Sequence, residues 1–376
     1  MSSFQVRQFD SIDALRAAAA AWDDLWRRSE TTIPTARAEL VAIWLEHFAP
    51  DATPRVLVVD DGQRMVAALP LIERRTCRVL RCGRLTSNYW SPNADLLLDP
   101  NVDAEPVLDV LVGVMKQLGW PLFWFDMVPV DGPHWQAMIH VFRRRGLAVD
   151  VHRRWQVGQI ALDGDINDYF ASRSAKLRRN LRRNHRRLES EGPLEFCLEH
   201  SLTPESVERR LQEVFTIEDR SWKGTAGSSA LRNPTAIEFY RRQARQLADW
   251  GQLRVARLRQ ADRTIAFELG WLGAGVYHSF KIGYDPEYRA FGPGHVLREQ
   301  LVRSLAEQGE VRAIDFQGPS TEALAAWATS EYPIARLVIA PRSASGRAAW
   351  AAYRALSRTV RLARRVRQAS ARTAAS

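Results

Sequence analysis

The chain has 376 residues, of which 46 % are hydrophobic and 26 % are charged, and its formal net charge is +10 at pH 7. This length and composition exclude a disordered chain and a small disulfide-dependent scaffold, and they predict a soluble protein of about two domains. Only three cysteines occur, without a Cys-x-x-Cys pair, so the sequence predicts no disulfide framework and no metal site. We expect a cytoplasmic protein without a signal peptide or transmembrane helix.

In the first half, hydrophobic periodicity predicts a strand, two helices, a hairpin, a helix, a strand and a helix. The hairpin consists of two β-rich runs joined by Asp61-Gly62. The predicted elements cover residues 4–9, 13–28, 36–48, 55–75, 104–118, 122–130 and 133–145.

The second half repeats the succession of helices, hairpin, strand, helix and strand, although no close sequence repeat is present. The predicted elements cover residues 155–162, 173–190, 203–220, 234–250, 252–272, 275–284, 294–308, 311–316 and 334–340. We therefore predict an α/β protein with mixed sheets and flanking helices, built from two related tandem units. The predicted units are residues 1–155 and 156–341, followed by a basic Ala/Arg-rich tail at 342–376.

The positive charge is concentrated in two segments. Residues 173–187 contain eight Lys or Arg and no acid, and residues 343–376 contain eight Arg and no acid, so the rest of the chain is mildly acidic. Such segments are typical of proteins with an anionic partner. The tail is expected either to lie on an anionic membrane surface, at the inner face of the membrane, or to be a partly folded basic extension, which we favour.

A glycine-rich turn joins a predicted strand to an amphipathic helix at residues 289–294, which read Arg-Ala-Phe-Gly-Pro-Gly. Glycines without Cβ let a pyrophosphate approach the backbone, and the N–H groups at a helix N-terminus bind its charge. Arg289 would add a charge-assisted contact. The alternative is an ordinary helix start, where glycine and proline are common.

In this turn, Arg289, Gly292 and Gly294 resemble the fingerprint of the GNAT superfamily of acyl-CoA-dependent N-acyltransferases. More closely, residues 1–341 resemble the tandem BioF2-like or CelD-like GNAT family, a relative of the Fem-type peptidyl transferases. The segments that carry this resemblance are residues 176–183, 221–224, 284–286, 292–294 and 315–316. The chain departs from the family after Asp315, where Phe316-Gln317-Gly318-Pro319 replaces an Arg-Gly-x-Glu-like stretch.

The resemblance implies acetyl-CoA or another acyl-CoA as co-substrate, held by Arg289, Gly292, Gly294 and His295. No comparable turn occurs in residues 1–150, so the first unit is expected to lack a CoA site. An acyl transfer to an amine also needs a proton acceptor beside the thioester.

Glu268 is the first candidate for this base, because it is a single carboxylate in an apolar strand, beside the small residues Ala266 and Gly270. The family resemblance places it beside the thioester. Tyr284 would protonate the leaving thiolate and His278 would relay protons, with Asp315 as a further candidate. Strand alternation predicts that His278, Phe280, Ile282 and Tyr284 share one face. Structural roles remain open for all of these residues.

Candidate substrate-binding residues lie in several segments. Lys281 is either a substrate contact or a structural partner of Glu268 or Asp285. Trp222 and Lys223 precede a Gly-rich stretch that is expected to be a mobile loop over the substrate. Asn88, Tyr89 and Trp90 form a turn that would line an acceptor cleft, with core packing as the alternative for Trp90. Lys176 and Arg179 belong to the basic helix, for which we expect an anion-facing role.

The sequence thus predicts an acyl-CoA-dependent N-acyltransferase whose acceptor is an amine, as in an amino sugar or another precursor of a surface polysaccharide. Two alternatives remain. One is a Fem-like transferase that uses aminoacyl-tRNA, in which the basic helix binds RNA. The other is a non-catalytic protein that binds an anionic membrane surface or nucleic acid.

Overall fold

A computed structural model describes residues 4–76, 80–91 and 94–357 of the chain, without the side chains of Thr76, Trp222 and Lys223. The first half contains, in order, β1 (Gln5–Phe9), α1 (Ile12–Ala17), α2 (Ala19–Arg28), α3 (Ala38–Phe48), β2 (Pro54–Asp60), β3 (Met65–Thr76), β4 (Leu80–Leu85), β5 (Leu97–Leu98), α4 (Ala104–Gln117), β6 (Leu122–Pro129), α5 (Pro133–Arg144) and β7 (Ala148–Ala161).

The second half contains α6 (Ile166–Ser172), α7 (Ala175–Ser190), β8 (Leu194–Glu199), α8 (Pro204–Arg220), α9 (Trp222–Thr225), α10 (Pro234–Asp249), β9 (Leu253–Gln260), β10 (Arg263–Gly273), β11 (Val276–Tyr284), α11 (Pro293–Gln308), β12 (Ala313–Asp315), α12 (Glu322–Ala325) and β13 (Ser330–Ala340). Residues 344–357 form a last helix, α13. The prediction missed β4, whose sequence LRCGRL interrupts the hydrophobic pattern with two arginines and a glycine.

The described strands form one mixed sheet in the order β1-β2-β3-β4-β6-β13-β7-β12-β11-β10-β9-β8, with β5 attached to β3. Two pairs in it are parallel, β4 with β6 in the first half and β11 with β12 in the second. Each parallel pair follows an antiparallel run of strands from its own half. The two halves are therefore related units, as the recurring succession of elements predicts.

The two halves exchange strands at the centre of the sheet. The last strand, β13, lies between β6 and β7, whereas β7 lies between β13 and β12. These two long strands pair antiparallel from Ser330↔Gln159 to Ala340↔Ala148. The predicted unit boundary at residues 155 and 156 falls inside β7, so it divides a shared strand rather than separating two sheets.

Helices cover the sheet in three main hydrophobic clusters. Helices α2 and α3 of the first half share one cluster with α8 and α10 of the second, which joins the halves through a common core. Helices α4 and α5 cover the remaining face of the first half. Helices α6, α7 and α11 cover the corresponding face of the second half, where the glycine-rich turn lies.

The first part of the basic tail packs on the sheet. In α13, Ala349 and Tyr353 are buried against a small cluster that includes Leu122 and Val338. The Tyr353 hydroxyl donates to Asp150 Oδ2 at 3.0 Å. Residues 358–376 of the predicted tail lie outside the described residues. In the described part of the chain, no helix has the length and apolar character needed to cross a membrane.

Candidate active site

The glycine-rich turn lies at the N-terminus of α11. Asp285 caps the 3₁₀ turn Pro286–Phe291 by accepting the N–H of Glu287 at 3.2 Å, and Gly292, with a φ of +63°, is the residue directly before α11. A Cβ at Gly292 would lie 2.4 Å from Asn184 Nδ2 of α7. Both the backbone conformation and this close approach require glycine.

The space in front of this helix start is open. A Cβ at Gly294 would meet only a ring carbon of Tyr284, at 3.8 Å, and no side chain caps the helix. Tyr284 and Ile282 of β11 are exposed nearby, at 39 % and 45 %. Arg289 is also exposed, whereas the His295 ring stacks on Trp327 at 6.3 Å and faces the protein. The turn can therefore accept an anionic group at Gly294 and Arg289.

The corresponding position in the first half is closed. Helix α4 begins with Asp103, whose carboxylate accepts the N–H of Glu105, so the helix start already carries negative charge. Between the parallel strands β4 and β6, a Cβ at Gly83 would lie 2.2 Å from the Trp120 ring, which fills that space. The Asp103 carboxylate would repel a phosphate at the start of α4, whereas no carboxylate caps the start of α11.

Glu268 is buried in an ion pair. Its Oε2 accepts a hydrogen bond from Arg298 Nη2 of α11 at 2.6 Å, and both side chains are at most 6 % exposed. Within 3.5 Å, Glu268 Oε1, Arg298 Nη1 and the Tyr277 hydroxyl have no hydrogen-bond partner among the described residues, although the Tyr277 hydroxyl makes a longer contact with the Glu268 carboxylate. Burial and the charge of Glu268 raise the pKa of Tyr277 well above its ordinary value. The predicted room beside Glu268 is filled, because a Cβ at Gly270 would lie 2.5 Å from the Tyr277 ring.

A β-bulge in β11 overturns the predicted side-chain alternation. Leu269 pairs with Lys281 and Gly270 pairs with Ser279, so Phe280 is an extra residue in β11. As a result, Phe280 and Lys281 both contact the cluster of α8 and α10, while Tyr284 lies beside the α11 turn. His278 and Tyr284 therefore do not share a face, contrary to the prediction.

Lys281 is not the partner of Glu268 or Asp285. Its Nζ lies 3.1 Å from Glu218 Oε1 of α8, and Asp285 accepts hydrogen bonds from Arg263 instead. Four aromatic rings surround the ammonium with centroids 4.9 to 5.8 Å from Nζ, those of Trp90, Phe215, Tyr240 and Phe280. This arrangement identifies Lys281 as a link between the strand, α8 and the first half.

The three predicted acceptor-site residues in the turn at residues 88–91 have different surroundings. Asn88 Oδ1 accepts the N–H groups of Trp90 and Ser91 and so stabilises the turn. Trp90 packs against Tyr240, whose hydroxyl donates to the Trp90 carbonyl at 2.7 Å. Tyr89 is 79 % exposed and lines a cavity between the two halves.

This cavity has a volume of about 590 Å³. Its wall is formed by the loop after α2, the segments that follow β6 and β12, and parts of β7, β11 and β13. His278 and Asp315 line it, whereas Glu268, Tyr284 and Lys281 do not. Its described wall carries four carboxylates and no lysine or arginine. The carboxylates are those of Glu30, Asp95, Asp131 and Asp315.

Asp315 and His278 face each other across the parallel pair of β12 and β11. Each Asp315 oxygen accepts two hydrogen bonds. The donors are the Gln317 N–H and side-chain amide at 2.7 and 3.0 Å, Gln159 Nε2 at 2.8 Å and the Tyr332 hydroxyl at 2.9 Å. His278 is 2 % exposed, and burial lowers its pKa despite the opposing charge of Asp315 and the nearby Thr32 carbonyl.

A second histidine on the cavity wall was missed by the sequence analysis. His134 Nε2 lies 3.3 Å from Asp95 Oδ1, which also accepts from Trp135 Nε1 at 2.7 Å, and Glu30 lies 3.8 Å from His134 Nδ1. Burial would lower the pKa of His134, but the two carboxylates outweigh it and raise the pKa. The sequence gives only a weak signal for this pair, because Asp95 and His134 lie 39 residues apart and form no recognisable motif.

The remaining candidates are Trp222, Lys223, Lys176 and Arg179. The backbone of Trp222 and Lys223 belongs to α9, which extends to Thr225, so the first two residues of the expected Gly-rich loop are helical. The side chains of Trp222 and Lys223 lie outside what is described. Lys176 and Arg179 are exposed on α7, which packs against α11 beside the glycine-rich turn. Among the described residues, no group of three or more His, Cys, Asp or Glu could hold a metal ion.

Comparisons with known proteins agree with this fold. Residues 175–326 match the family model described as "Acetyltransferase (GNAT) domain". Comparison with curated proteins finds no match. Among solved structures, FemX has a TM-score of 0.58 at 9 % identity, covering 89 % of this chain and 96 % of that chain.

Two further structures show the same fold. A conserved protein of unknown function from Bacteroides thetaiotaomicron has a TM-score of 0.55 at 13 % identity, covering 90 % of this chain and all of that chain. The C-terminal domain of a putative lysylphosphatidylglycerol synthetase from Agrobacterium fabrum has a TM-score of 0.54 at 14 % identity, covering 90 % and 96 %. Residues 175–326 therefore match a GNAT acetyltransferase domain, and the chain as a whole shares the fold of these three structures.

Proposed function

We propose that the protein is an acyl-CoA-dependent N-acyltransferase that binds CoA in its second unit. The observation that carries this proposal is the uncapped, glycine-built start of α11, which leaves Gly294 open beside the exposed Tyr284. The CoA pyrophosphate would bind there, with Arg289 as a further cationic contact. The first unit, closed by Asp103 and Trp120, would serve as a scaffold and as one wall of the acceptor site.

The acceptor is proposed to be a cationic amine bound in the cavity between the halves. The described wall of this cavity carries four carboxylates and no lysine or arginine, although Arg153 outside the wall pairs with Asp131, so the described lining is acidic in a chain of net charge +10. A protonated amine gains favourable electrostatic interactions in such a site, whereas an anionic acceptor is repelled. The exposed ring of Tyr89 at the cavity would pack on a sugar, so an amino sugar or another saccharide amine is the favoured class.

The acceptor ammonium must lose a proton before it attacks the thioester. Glu268 is the proposed acceptor of this proton, because its Oε1 has no described partner within 3.5 Å while Arg298 holds its Oε2. Since Glu268 is buried and does not line the cavity, the proton would have to reach it through a chain of water molecules. Tyr284, at the glycine-rich turn, would donate a proton to the departing thiolate. Asp315 is a less suitable base, because both of its oxygens already accept two hydrogen bonds.

A Fem-like transferase that uses aminoacyl-tRNA is the second candidate. The exposed arginines of α7 favour it, since Arg179, Arg182 and Arg183 make no ion pair with an acid in the described part of the chain. Phosphate contacts of this kind would make tRNA binding steeply dependent on salt. Tight, salt-sensitive tRNA binding together with absent CoA binding would favour this candidate.

The experiment is an acetyl-transfer assay with the full chain, acetyl-CoA and a panel of amines that includes glucosamine and its N-acetylated form. Release of CoA with the cationic amine is expected, and none with the blocked form. Glu30→Gln should raise the KM for the cationic amine a few-fold. The Glu30 side chain is half-exposed, and an ion pair between it and the amine would contribute about 0.2–1 kcal/mol to binding. Glu322→Gln, an exposed change outside the cavity, is the matched control. Equal effects of both variants, or no transfer to any amine, would refute the proposal.

A further inference from the structure

The side-chain amide of Gln317 joins two residues of the cavity wall. Its Nε2 lies 3.0 Å from Asp315 Oδ1 and 2.8 Å from His278 Nδ1. Gln317 adopts a positive φ of +56°, which is unfavourable for a residue with a Cβ. Such a conformation persists only where surrounding contacts hold it, and here the backbone N–H of Gln317 also donates to Asp315.

The contacts of Asp315 decide which way this amide points. Asp315 also accepts from Gln159 and Tyr332, so it acts purely as an acceptor. The NH₂ group of Gln317 must therefore face Asp315, because the reversed amide would place its oxygen 3.0 Å from a carboxylate oxygen. The second hydrogen of the same NH₂ group then points to His278 Nδ1.

The orientation of the amide fixes the tautomer of His278. When Nδ1 accepts a hydrogen bond, the proton of the neutral ring is on Nε2. Nε2 is buried and has no hydrogen-bond partner within 3.5 Å among the described residues, although the Thr32 carbonyl lies near the ring and His278 lines the cavity. A buried N–H without a partner is costly and indicates a group that a ligand completes.

We propose that His278 is a hydrogen-bond donor, through Nε2–H, to an oxygen of the ligand in the cavity, and that Gln317 is the residue that holds it in this tautomer. His278 is then not the proton acceptor of the reaction. The tautomer is independent of the proposed function. The identity of the oxygen rests on the proposed function, in which the acyl carbonyl oxygen gains negative charge as the amine attacks.

The direct test is nitrogen NMR of the full chain labelled with ¹⁵N-histidine at pH 7.5, with the His278 signals assigned from the spectrum of His278→Gln. We expect a protonated Nε2 and an unprotonated Nδ1 in the wild type. We expect Gln317→Leu to lose this preference and to give mixed tautomers. A wild-type proton on Nδ1, or a charged ring, would overturn the proposal whether or not the protein transfers acyl groups.

The second test compares two replacements of His278. Glutamine places an amide N–H near the position of Nε2, whereas leucine offers no donor. We expect His278→Leu to lower kcat by about 10²–10³-fold, as loss of an oxyanion donor does, and His278→Gln to retain most of the activity. Melting temperatures identify a variant that does not fold. Equal loss of kcat in two folded variants would show that His278 transfers a proton, which contradicts the proposal.

Discussion

Arg298 donates a hydrogen bond from Nη2 to Glu268 Oε2 at 2.6 Å, with both side chains almost fully buried. The pair joins β10 to α11, the helix whose first turn carries Gly292 and Gly294. Burial makes each charge dependent on the other, because an unpaired ion is costly in a low-dielectric interior. The ion pair therefore positions the helix start relative to the sheet.

We predict that Arg298→Met lowers the free energy of unfolding by about 3–5 kcal/mol, since it leaves the Glu268 carboxylate buried without its cation. Glu268→Gln combined with Arg298→Met should recover much of this loss, because both charges are then removed. Thermal and denaturant unfolding of the two single variants and the double variant measure this. An unchanged stability of Arg298→Met would mean that the pair does not form in solution.

The same variants show whether Glu268 acts as a base or only holds α11 in place. If Glu268 takes the acceptor's proton, kcat of Glu268→Gln falls by about 10²–10⁴-fold with little change in CoA affinity, and it stays low in the double variant. If Glu268 only anchors α11, the double variant regains activity together with stability. Full activity in folded Glu268→Gln would show that the base lies elsewhere.

The two cavity histidines are predicted to change stability with pH in opposite directions. The raised pKa of His134, held by Asp95 and Glu30, stabilises the fold below pH about 6.5, and this contribution is lost as pH rises through the raised pKa. The lowered pKa of His278 has the opposite effect on the free energy of unfolding. Neutral His278 stabilises the fold above pH about 6.5, and this contribution is lost as pH falls, because the unfolded chain then binds a proton more readily than the folded chain.

This difference is measured as the melting-temperature deficit of His134→Gln and His278→Gln relative to wild type, between pH 5.5 and 8. The deficit of His134→Gln should shrink as pH rises, and that of His278→Gln should shrink as pH falls. Parallel profiles for the two variants would contradict the assigned directions.

Helix α13 makes the first part of the basic tail important for stability. A chain ending at Arg342 should lose stability, because it lacks the buried Ala349 and Tyr353 that cover Val338. A chain ending at Ser357 should fold like the wild type. It should bind phosphatidylglycerol vesicles more weakly, since it lacks six arginines, each contributing about 1 kcal/mol near an anionic surface.

Co-sedimentation with anionic and neutral vesicles at low salt measures this binding, and thermal unfolding measures the stability of both truncated chains. Equal vesicle binding by the wild type and the chain ending at Ser357 would exclude the tail as a membrane-binding segment.

Local elements of the fold were predictable from the sequence, whereas the strand exchange was not. Hydrophobic periodicity located α10 and α11, and the Asp61-Gly62 turn located the hairpin of β2 and β3. The pairing of β7 with β13 joins residues such as Gln159 and Ser330, which no local pattern connects. The predicted boundary therefore fell inside a strand that both halves use.

In the candidate site, too, local features were predictable from the sequence and long-range contacts were not. The glycine-rich turn was visible because Arg289, Gly292 and Gly294 lie within six consecutive residues of the chain. The bulge at Phe280 reversed the expected faces, since one extra residue shifts every later side chain to the other side. The network of Gln317 with His278 escaped prediction because it depends on a positive φ and on two strands that are distant in sequence.

The most direct test of CoA binding at the start of α11 is a calorimetric titration of the full chain with acetyl-CoA. We predict one site per chain, and a loss of affinity of at least about tenfold in Gly294→Trp, whose side chain would occupy the open space in front of the helix. Gly113→Trp, a change in α4 at a position where a Cβ would meet no atom within 4 Å, should bind like the wild type. No binding by the wild type, two sites per chain, or equal affinity in folded Gly294→Trp would contradict the account.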